Sequence, residues 1–210
     1  MAKLKEEKIA EFIGVMLGDG SIGIYDFKQE NKSKKLHQLK VTLDSRNKQY
    51  IGHVFNLMKE VMGLPPKVHF KKSENATDIR IFRKDKVLYA INVLGLKKSP
   101  KWNRMEIPKD YVKGRLALLV LRGLFDTDGS VTIFRNNGIL YPRIEIRMSP
   151  CPAQKQIIDI LKENNFSYRI QRLEKGKLKI RISGKKELKK WFDVVGSSNE
   201  LYKRRAEKFL

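Results

Sequence analysis

Apolar residues recur along this chain with two different periods, and the switch between the periods itself repeats. Ile9, Phe12, Ile13 and Met16 stand three or four residues apart, so residues 7–18 are predicted helical. Downstream the period falls to two. In 38–44, Leu39, Val41 and Leu43 alternate with Gln38, Lys40, Thr42 and Asp44. In 141–148, Ile144, Ile146 and Met148 oppose Tyr141, Arg143, Glu145 and Arg147, and in 177–183, Leu178, Ile180 and Ile182 oppose Lys177, Lys179, Arg181 and Ser183. Such alternation predicts antiparallel strands with one buried and one exposed face. Helical patterns return near 47–62 and 152–164, and shorter strand-like stretches fall near 67–72, 78–83 and 168–173.

The order α-β-β-α-β-β-α thus runs twice. Residues 11–22 read Glu-Phe-Ile-Gly-Val-Met-Leu-Gly-Asp-Gly-Ser-Ile, and 120–131 read Val-Leu-Arg-Gly-Leu-Phe-Asp-Thr-Asp-Gly-Ser-Val. The later tails also match, Asn-Val-Leu-Gly-Leu-Lys-Lys-Ser against Asp-Val-Val-Gly-Ser-Ser. Self-similarity over so long a span predicts a duplicated architecture. The expected fold class is α+β, with a repeat in 1–96, a polar linker in 97–112 broken by Pro100 and Pro108, and a second repeat in 113–210.

Charge narrows the function. Lys and Arg number 45 against 23 Asp and Glu, a formal net charge of +22. A folded domain this basic repels itself unless a polyanion neutralises it, which points to nucleic acid. The exposed strand faces carry much of that charge. No apolar run reaches the ~18 residues of a membrane span, and the charged first residues, Met-Ala-Lys-Leu-Lys-Glu-Glu-Lys, carry no secretory pattern, so an intracellular location is expected. A single cysteine, Cys151, excludes a disulfide framework, and one Cys with three His argues against structural zinc.

The repeated motif carries the chemistry. Gly14 and Gly18 lie four apart on one helical face, and the second copy has Gly123 and Thr127 there. Small residues at this spacing let two helix backbones approach closely. The two helices would then end side by side, with Asp19 next to Asp128. Two carboxylates at helix C-termini oppose the helix dipoles and repel each other. A divalent cation between them removes both costs, and metals clamped by carboxylates are a known solution for phosphodiester hydrolysis.

At these residues the sequence resembles the LAGLIDADG homing endonuclease family. The motifs are Phe-Ile-Gly-Val-Met-Leu-Gly-Asp-Gly at 12–20 and Leu-Arg-Gly-Leu-Phe-Asp-Thr-Asp-Gly at 121–129. Two motifs in one chain resemble the single-chain subgroup. The resemblance implies two pseudo-symmetric αββαββα repeats whose antiparallel sheets form a DNA-binding saddle. It implies a monomeric, intron-encoded type of enzyme that cuts both strands of a long, asymmetric double-stranded DNA site and leaves short 3′ overhangs. It assigns Asp19 and Asp128 as ligands of two or three Mg²⁺ or Mn²⁺ ions, assisted by the carbonyls of Gly18 and Thr127. It also places a basic residue at each repeat tail to stabilise phosphate charge; by position these are Lys98 and Lys203. Asp126 matches a motif acid, but the first copy has Leu17 there, so a capping role is expected for Asp126.

On the exposed strand faces, the expected DNA contacts are Gln38, Lys40, Thr42, Lys67, His69, Lys71 and Arg80 in the first repeat. In the second they are Arg143, Glu145, Arg147, Lys177, Lys179 and Arg181. Arg reads guanine and Gln reads adenine by paired hydrogen bonds, whereas Lys mainly contacts phosphate. Gly23-Ile24-Tyr25 and Tyr50-Ile51-Gly52 spell the halves of a GIY-YIG nuclease signature, but 24 residues separate them and the second lies in a helical pattern, so both are read as coincidence. His53 is expected on a helix surface. The rival reading is an intron RNA maturase or RNA-binding protein on the same fold.

Overall fold

The computed structural model describes residues 2–29 and 32–210. Helix α1 (Ala2–Leu17) leads into strands β1 (Gly20–Gln29) and β2 (Lys32–Asp44), helix α2 (Lys48–Met62), strands β3 (Lys67–Lys71) and β4 (Ala76–Ile81), and helix α3 (Lys84–Asn92). The second half repeats this with α4 (Gly114–Asp128), β5 (Gly129–Asn136), β6 (Ile139–Met148), α5 (Ala153–Glu163), β7 (Arg169–Arg172), β8 (Leu178–Ser183) and α6 (Lys185–Val194). A seventh helix, α7 (Glu200–Glu207), follows. The fold is α+β as expected, with two four-stranded antiparallel sheets in the orders β1-β2-β4-β3 and β5-β6-β8-β7. Among the described residues no helix is long and apolar enough to cross a membrane.

Each sheet buries one face. Leu39, Val41, Leu43, Ile79 and Ile81 turn inward from the first, and Ile144, Ile146, Met148, Ile180 and Ile182 from the second. Helix α2 covers its side of the core with Tyr50, Ile51, Val54, Leu57, Met58, Val61 and Met62, and ends on Gly63, whose φ of 70° is the left-handed conformation that suits glycine. Trp191 of α6 is fully buried against Phe125, with ring centroids 5.0 Å apart. Two predicted boundaries move. The strand expected at 78–83 is β4, Ala76–Ile81, because Arg83 already caps α3. Lys177 falls just outside β8, where its carbonyl accepts the Leu173 N–H at 2.8 Å. Gly23–Tyr25 lies on β1 and Tyr50–Gly52 on α2, so the two tripeptides do not share neighbouring strands.

Helices α1 and α4 join the halves, and their contact is backbone on backbone. A methyl group on Gly14 would lie 2.1 Å from the Val120 carbonyl oxygen and 2.9 Å from Cα of Gly123. One on Gly123 would lie 2.2 Å from the Glu11 carbonyl oxygen. No side-chain rotation relieves a clash with main chain, so the helices can pack at this distance only with glycine at both positions. Gly52, exposed on α2, is different: a methyl group there would meet nothing within 4 Å. Gly123→Ala is therefore expected to cost about 2–4 kcal/mol, whereas Gly52→Ala should add about 0.5–1 kcal/mol by removing chain entropy. Urea unfolding midpoints of the two variants check this; equal shifts would contradict the packing argument.

Candidate active site

Asp19 and Asp128 stand at the adjoining ends of α1 and α4, each one residue before the first strand of its sheet. A methyl group on Gly18 would lie 2.8 Å from Thr127 Cβ and 3.4 Å from the Asp128 carboxyl carbon, so the two ends touch. The Thr127 hydroxyl folds back on its own helix, donating to the carbonyls of Gly123 at 3.1 Å and Leu124 at 3.0 Å. The Asp19 carbonyl accepts the Thr42 N–H at 3.2 Å, which ties this turn to β2. Burial, then the charge of Asp128, pushes Asp19 up to about 6 against the pull of Lys101. Asp128 reaches solvent on one side, yet desolvation of its carboxyl at the packed helix ends raises its pKa as well, again opposed by Lys101.

Lys101 is a residue at this candidate site that sequence reasoning missed. Its ammonium donates to the carbonyls of Gly18 at 2.8 Å and Gly20 at 2.7 Å, and also to that of Met16. It thus neutralises the end of α1, where the helix dipole is negative. Burial lowers its pKa to about 8, against the attraction of Asp128 and Asp19. The segment before it is pinned to β1: Ser99 N–H donates to Ile22 O at 2.8 Å, and Ile22 N–H donates to the Ser99 hydroxyl at 3.3 Å. Lys98 and Lys203, expected at this position, make other contacts. Lys98 is exposed, its carbonyl accepting from Arg104 at 3.1 Å, and Lys203 pairs with Glu200 at 3.5 Å.

The second repeat has a different residue in the position of Lys101. Lys101 follows Gly95 by six residues, and Tyr202 follows Gly196 by six. The Tyr202 hydroxyl donates to the Gly129 carbonyl at 2.6 Å, as Lys101 does to Gly20, and Gly20 and Gly129 are equivalent in the repeat. Burial first, and then the charge of Asp126, pushes Tyr202 up to about 12.

Asp126 is buried and bonded to the tail of the second repeat. It accepts the Ser198 N–H at 2.6 Å and the Ser197 hydroxyl, so it caps the turn that starts α7. Burial drives it up to about 7 despite those donors. Beside it, Glu11 accepts from the Ser198 hydroxyl at 2.6 Å and meets His53 Nε2 at 2.7 Å. Burial opposes ionisation of Glu11, but the His53 contact and the Ser198 donor prevail and lower its pKa. His53 is half-buried in this link between α1, α2 and the second repeat, rather than a free surface residue.

The strand register gathers the expected DNA contacts on the two outer faces. In the first sheet Lys40, Arg80 and Lys67 form one row with Ser21, while Thr42, Asp78 and His69 form the next. Lys71 lies one step further, opposite Ala76, and Gln38 lies opposite Gly23. Asp78 is fully buried among them. Burial would raise its pKa, but hydrogen bonds from Arg80 at 3.1 Å and Thr42 at 2.7 Å hold it low. In the second sheet Glu145, Arg181 and Arg169 share a row, Arg147 stands opposite Lys179, and Arg143 opposite Ser183; Glu145 and Lys179 are covered by their neighbours and are not the exposed contacts expected of them. Lys177 continues this face beyond the end of β8.

The fold is similar to those of known nucleases. A structure of mesophilic variants of the homing endonuclease I-DmoI matches with a TM-score of 0.64 at 16% identity, covering 92% of this chain and 97% of that one. The I-LtrWI LAGLIDADG homing endonuclease bound to target DNA matches at 0.63 and 14%, covering 97% and 90%. The meganuclease I-SmaMI bound to uncleavable DNA matches at 0.69 and 11%, covering 96% and 88%. I-DmoI is also known in complex with DNA and Mn, and I-SmaMI with DNA in the presence of calcium ions. No curated protein matches the chain in sequence. Residues 10–191, most of the chain, match the LAGLIDADG DNA endonuclease family. Duplicated motif, paired acids and family match agree, and the chain belongs to the LAGLIDADG DNA endonuclease family.

Proposed function

We propose that this protein is a homing endonuclease that hydrolyses one phosphodiester on each strand of a long, asymmetric double-stranded DNA site, leaving short 3′ overhangs. One observation carries the reading: two repelling carboxylates, Asp19 and Asp128, are forced together at the point where two basic sheets begin. The donor set suits Mg²⁺ or Mn²⁺. It offers two carboxylates and the nearby main-chain carbonyl of Thr127, all oxygen, while the expected Gly18 carbonyl is already held by Lys101 at 2.8 Å; its excess negative charge is what a cation would relieve. A divalent cation bound there supplies Lewis acidity at the phosphate.

The protein's own groups do the rest. Asp19 and Asp128 would hold the cation, because anionic carboxylates repel phosphate and cannot bind it directly. Lys101 commits its three N–H groups to the Met16, Gly18 and Gly20 carbonyls, so its ammonium acts on the first centre through its charge, offsetting the two acids and the charge that develops on phosphate. Tyr202 stays protonated near neutral pH with its one hydrogen on the Gly129 carbonyl, so the second centre has a neutral phenol where the first has a cation. The sheets hold the duplex, with lysines on phosphates and arginines on base edges.

The first test is cleavage of a library of intronless duplex sites with Mg²⁺. Asp19→Asn and Asp128→Asn should each keep DNA binding and lose double-strand cutting by at least about 10³-fold, and Lys101→Met should lose about 10²-fold. Unchanged cutting by either aspartate variant would sink the mechanism. No cutting of any site, alongside tight intron-RNA binding, would favour the maturase.

A second test needs no DNA. The pKa of Asp19 is raised in the folded protein, so the folded state holds that proton more tightly than the unfolded chain. The stability this provides is full below pH 4 and is lost as pH rises through 6. Without divalent metal, Asp19→Asn is expected to be more stable than the native protein at pH 8 by about 1–2 kcal/mol, discounted for partial exposure. The gain should vanish at pH 4. Thermal melts in EDTA at the two pH values check this, and an equal difference at both would contradict it.

A further inference from the structure

We infer that the two sheets read their half-sites unequally: the second sheet selects a guanine-rich half through arginines positioned by Glu145, and the first grips its half mainly through phosphates. The inference rests on the DNA-binding part of the proposed function. It begins with the difference in cations on the two outer faces. Among the described strand residues, the second sheet carries Arg143, Arg147, Arg169 and Arg181 beside one largely covered lysine, Lys179, whereas the first carries Arg80 with Lys40, Lys67 and Lys71. An arginine fork matches guanine O6 and N7 bidentately, whereas an ammonium is a point charge suited to phosphate.

The carboxylates on these faces sharpen the difference. In the first sheet Asp78 takes Arg80 almost whole, because Nε at 3.1 Å and Nη2 both donate to the same carboxylate oxygen. In the second sheet a single carboxylate, Glu145, serves three arginines. Among the described residues Arg181 donates to it through Nε alone, at 2.7 Å. Arg143 and Arg147 stand at 3.7 and 3.8 Å, ion-pair rather than hydrogen-bond distances. An arginine held by Nε keeps both terminal nitrogens directed outward, the edge that reads guanine. Arg143 is fixed from a second side, with its guanidinium carbon 4.3 Å from the Phe134 ring centroid. Glu145 is 9% exposed, so it orients these groups from below instead of meeting a base itself. Arg143, Arg169 and Arg181 also line one open cleft with Ser167, Tyr168 and Ser183.

The experiment is selection of bound duplexes from a fully randomised library by the intact protein in EDTA, followed by binding of the selected and scrambled duplexes. Guanine should be enriched at two or more positions in one half, and the other half should show weaker preference. Arg181→Lys should cut discrimination against a guanine substitution in the enriched half by about tenfold, leaving the other half unaffected. Glu145→Gln should relax the same half by a similar factor, with scrambled-duplex binding unchanged or tighter. Lys40→Ala and Lys67→Ala should weaken selected and scrambled binding alike and lower the salt dependence. Equal information in both halves, an absence of guanine preference, or loss of specific and scrambled binding together in Glu145→Gln would each overturn the inference. If Glu145→Gln does not fold, Arg181→Lys, which keeps the charge at a partly exposed site, carries the test alone. Because the readout is binding, a protein that selects guanine yet never cuts DNA would refute the cleavage reading and leave this inference standing.

Discussion

The contact between Gly14 and Gly123 is the constraint on which the rest depends. It removes side chains from the seam between α1 and α4, and main chain meets main chain there. Everything at the helix ends follows from that distance. Gly18 meets Thr127, Asp19 meets Asp128, and the first strands of the two sheets diverge from one point. A larger residue at the seam would separate the acids and change the relation of the sheets together. Stability and site geometry are therefore coupled through two glycines that perform no chemistry themselves.

Close approach concentrates negative charge in an otherwise strongly basic molecule. Two carboxylates and the carbonyl end of α1 converge where water is partly excluded, and both acids respond with raised pKa values. The only cation the fold supplies directly to these carbonyls, among the described residues, is Lys101. One ammonium cannot balance two crowded carboxylates, one half-buried and one reaching solvent, together with a helix terminus. The residual demand for positive charge is a physical argument for a divalent ion that is independent of any motif. It also explains why the acids and the basic sheets belong together, since a phosphate that approaches such a pair must be attracted by its surroundings before it can be held by its ligands.

The duplication, the strand faces and the acid pair were legible in the sequence because they rest on periodicity and on a repeated string. Period-two alternation separated the two faces of each strand, but the register that aligns Glu145 with Arg181, and the burial of Glu145 and Lys179 on the outer face, depend on how distant strands pair. Lys101 was not legible. It is one lysine among many, and its role depends on the path from Leu96 to Lys101, pinned by the paired bonds between Ser99 and Ile22. No local pattern encodes that path. Tyr202 escaped for the same reason, and the tail alignment on Gly95 and Gly196 was the one signal that would have found both. The Glu11, His53 and Ser198 link was invisible because its members lie 42 and 187 positions from Glu11 along the chain.

The two halves have kept a common backbone and diverged in chemistry, and the divergence is concentrated where the backbone is least demanding. At the seam both copies are glycine, because a Cβ would strike main chain. One turn later the copies differ, Gly18 against Thr127, because Thr127 can fold its hydroxyl onto its own helix. At the tails Lys101 and Tyr202 both satisfy a glycine carbonyl, with a cation in one half and a neutral phenol in the other. On the sheets, lysines stand against arginines. Each departure preserves a hydrogen bond or a packing distance while changing charge or donor geometry. A homodimer could not vary its two centres in this way, since every substitution would appear twice. Joining the copies in one chain is what permits unequal centres and unequal reading faces on a symmetric frame.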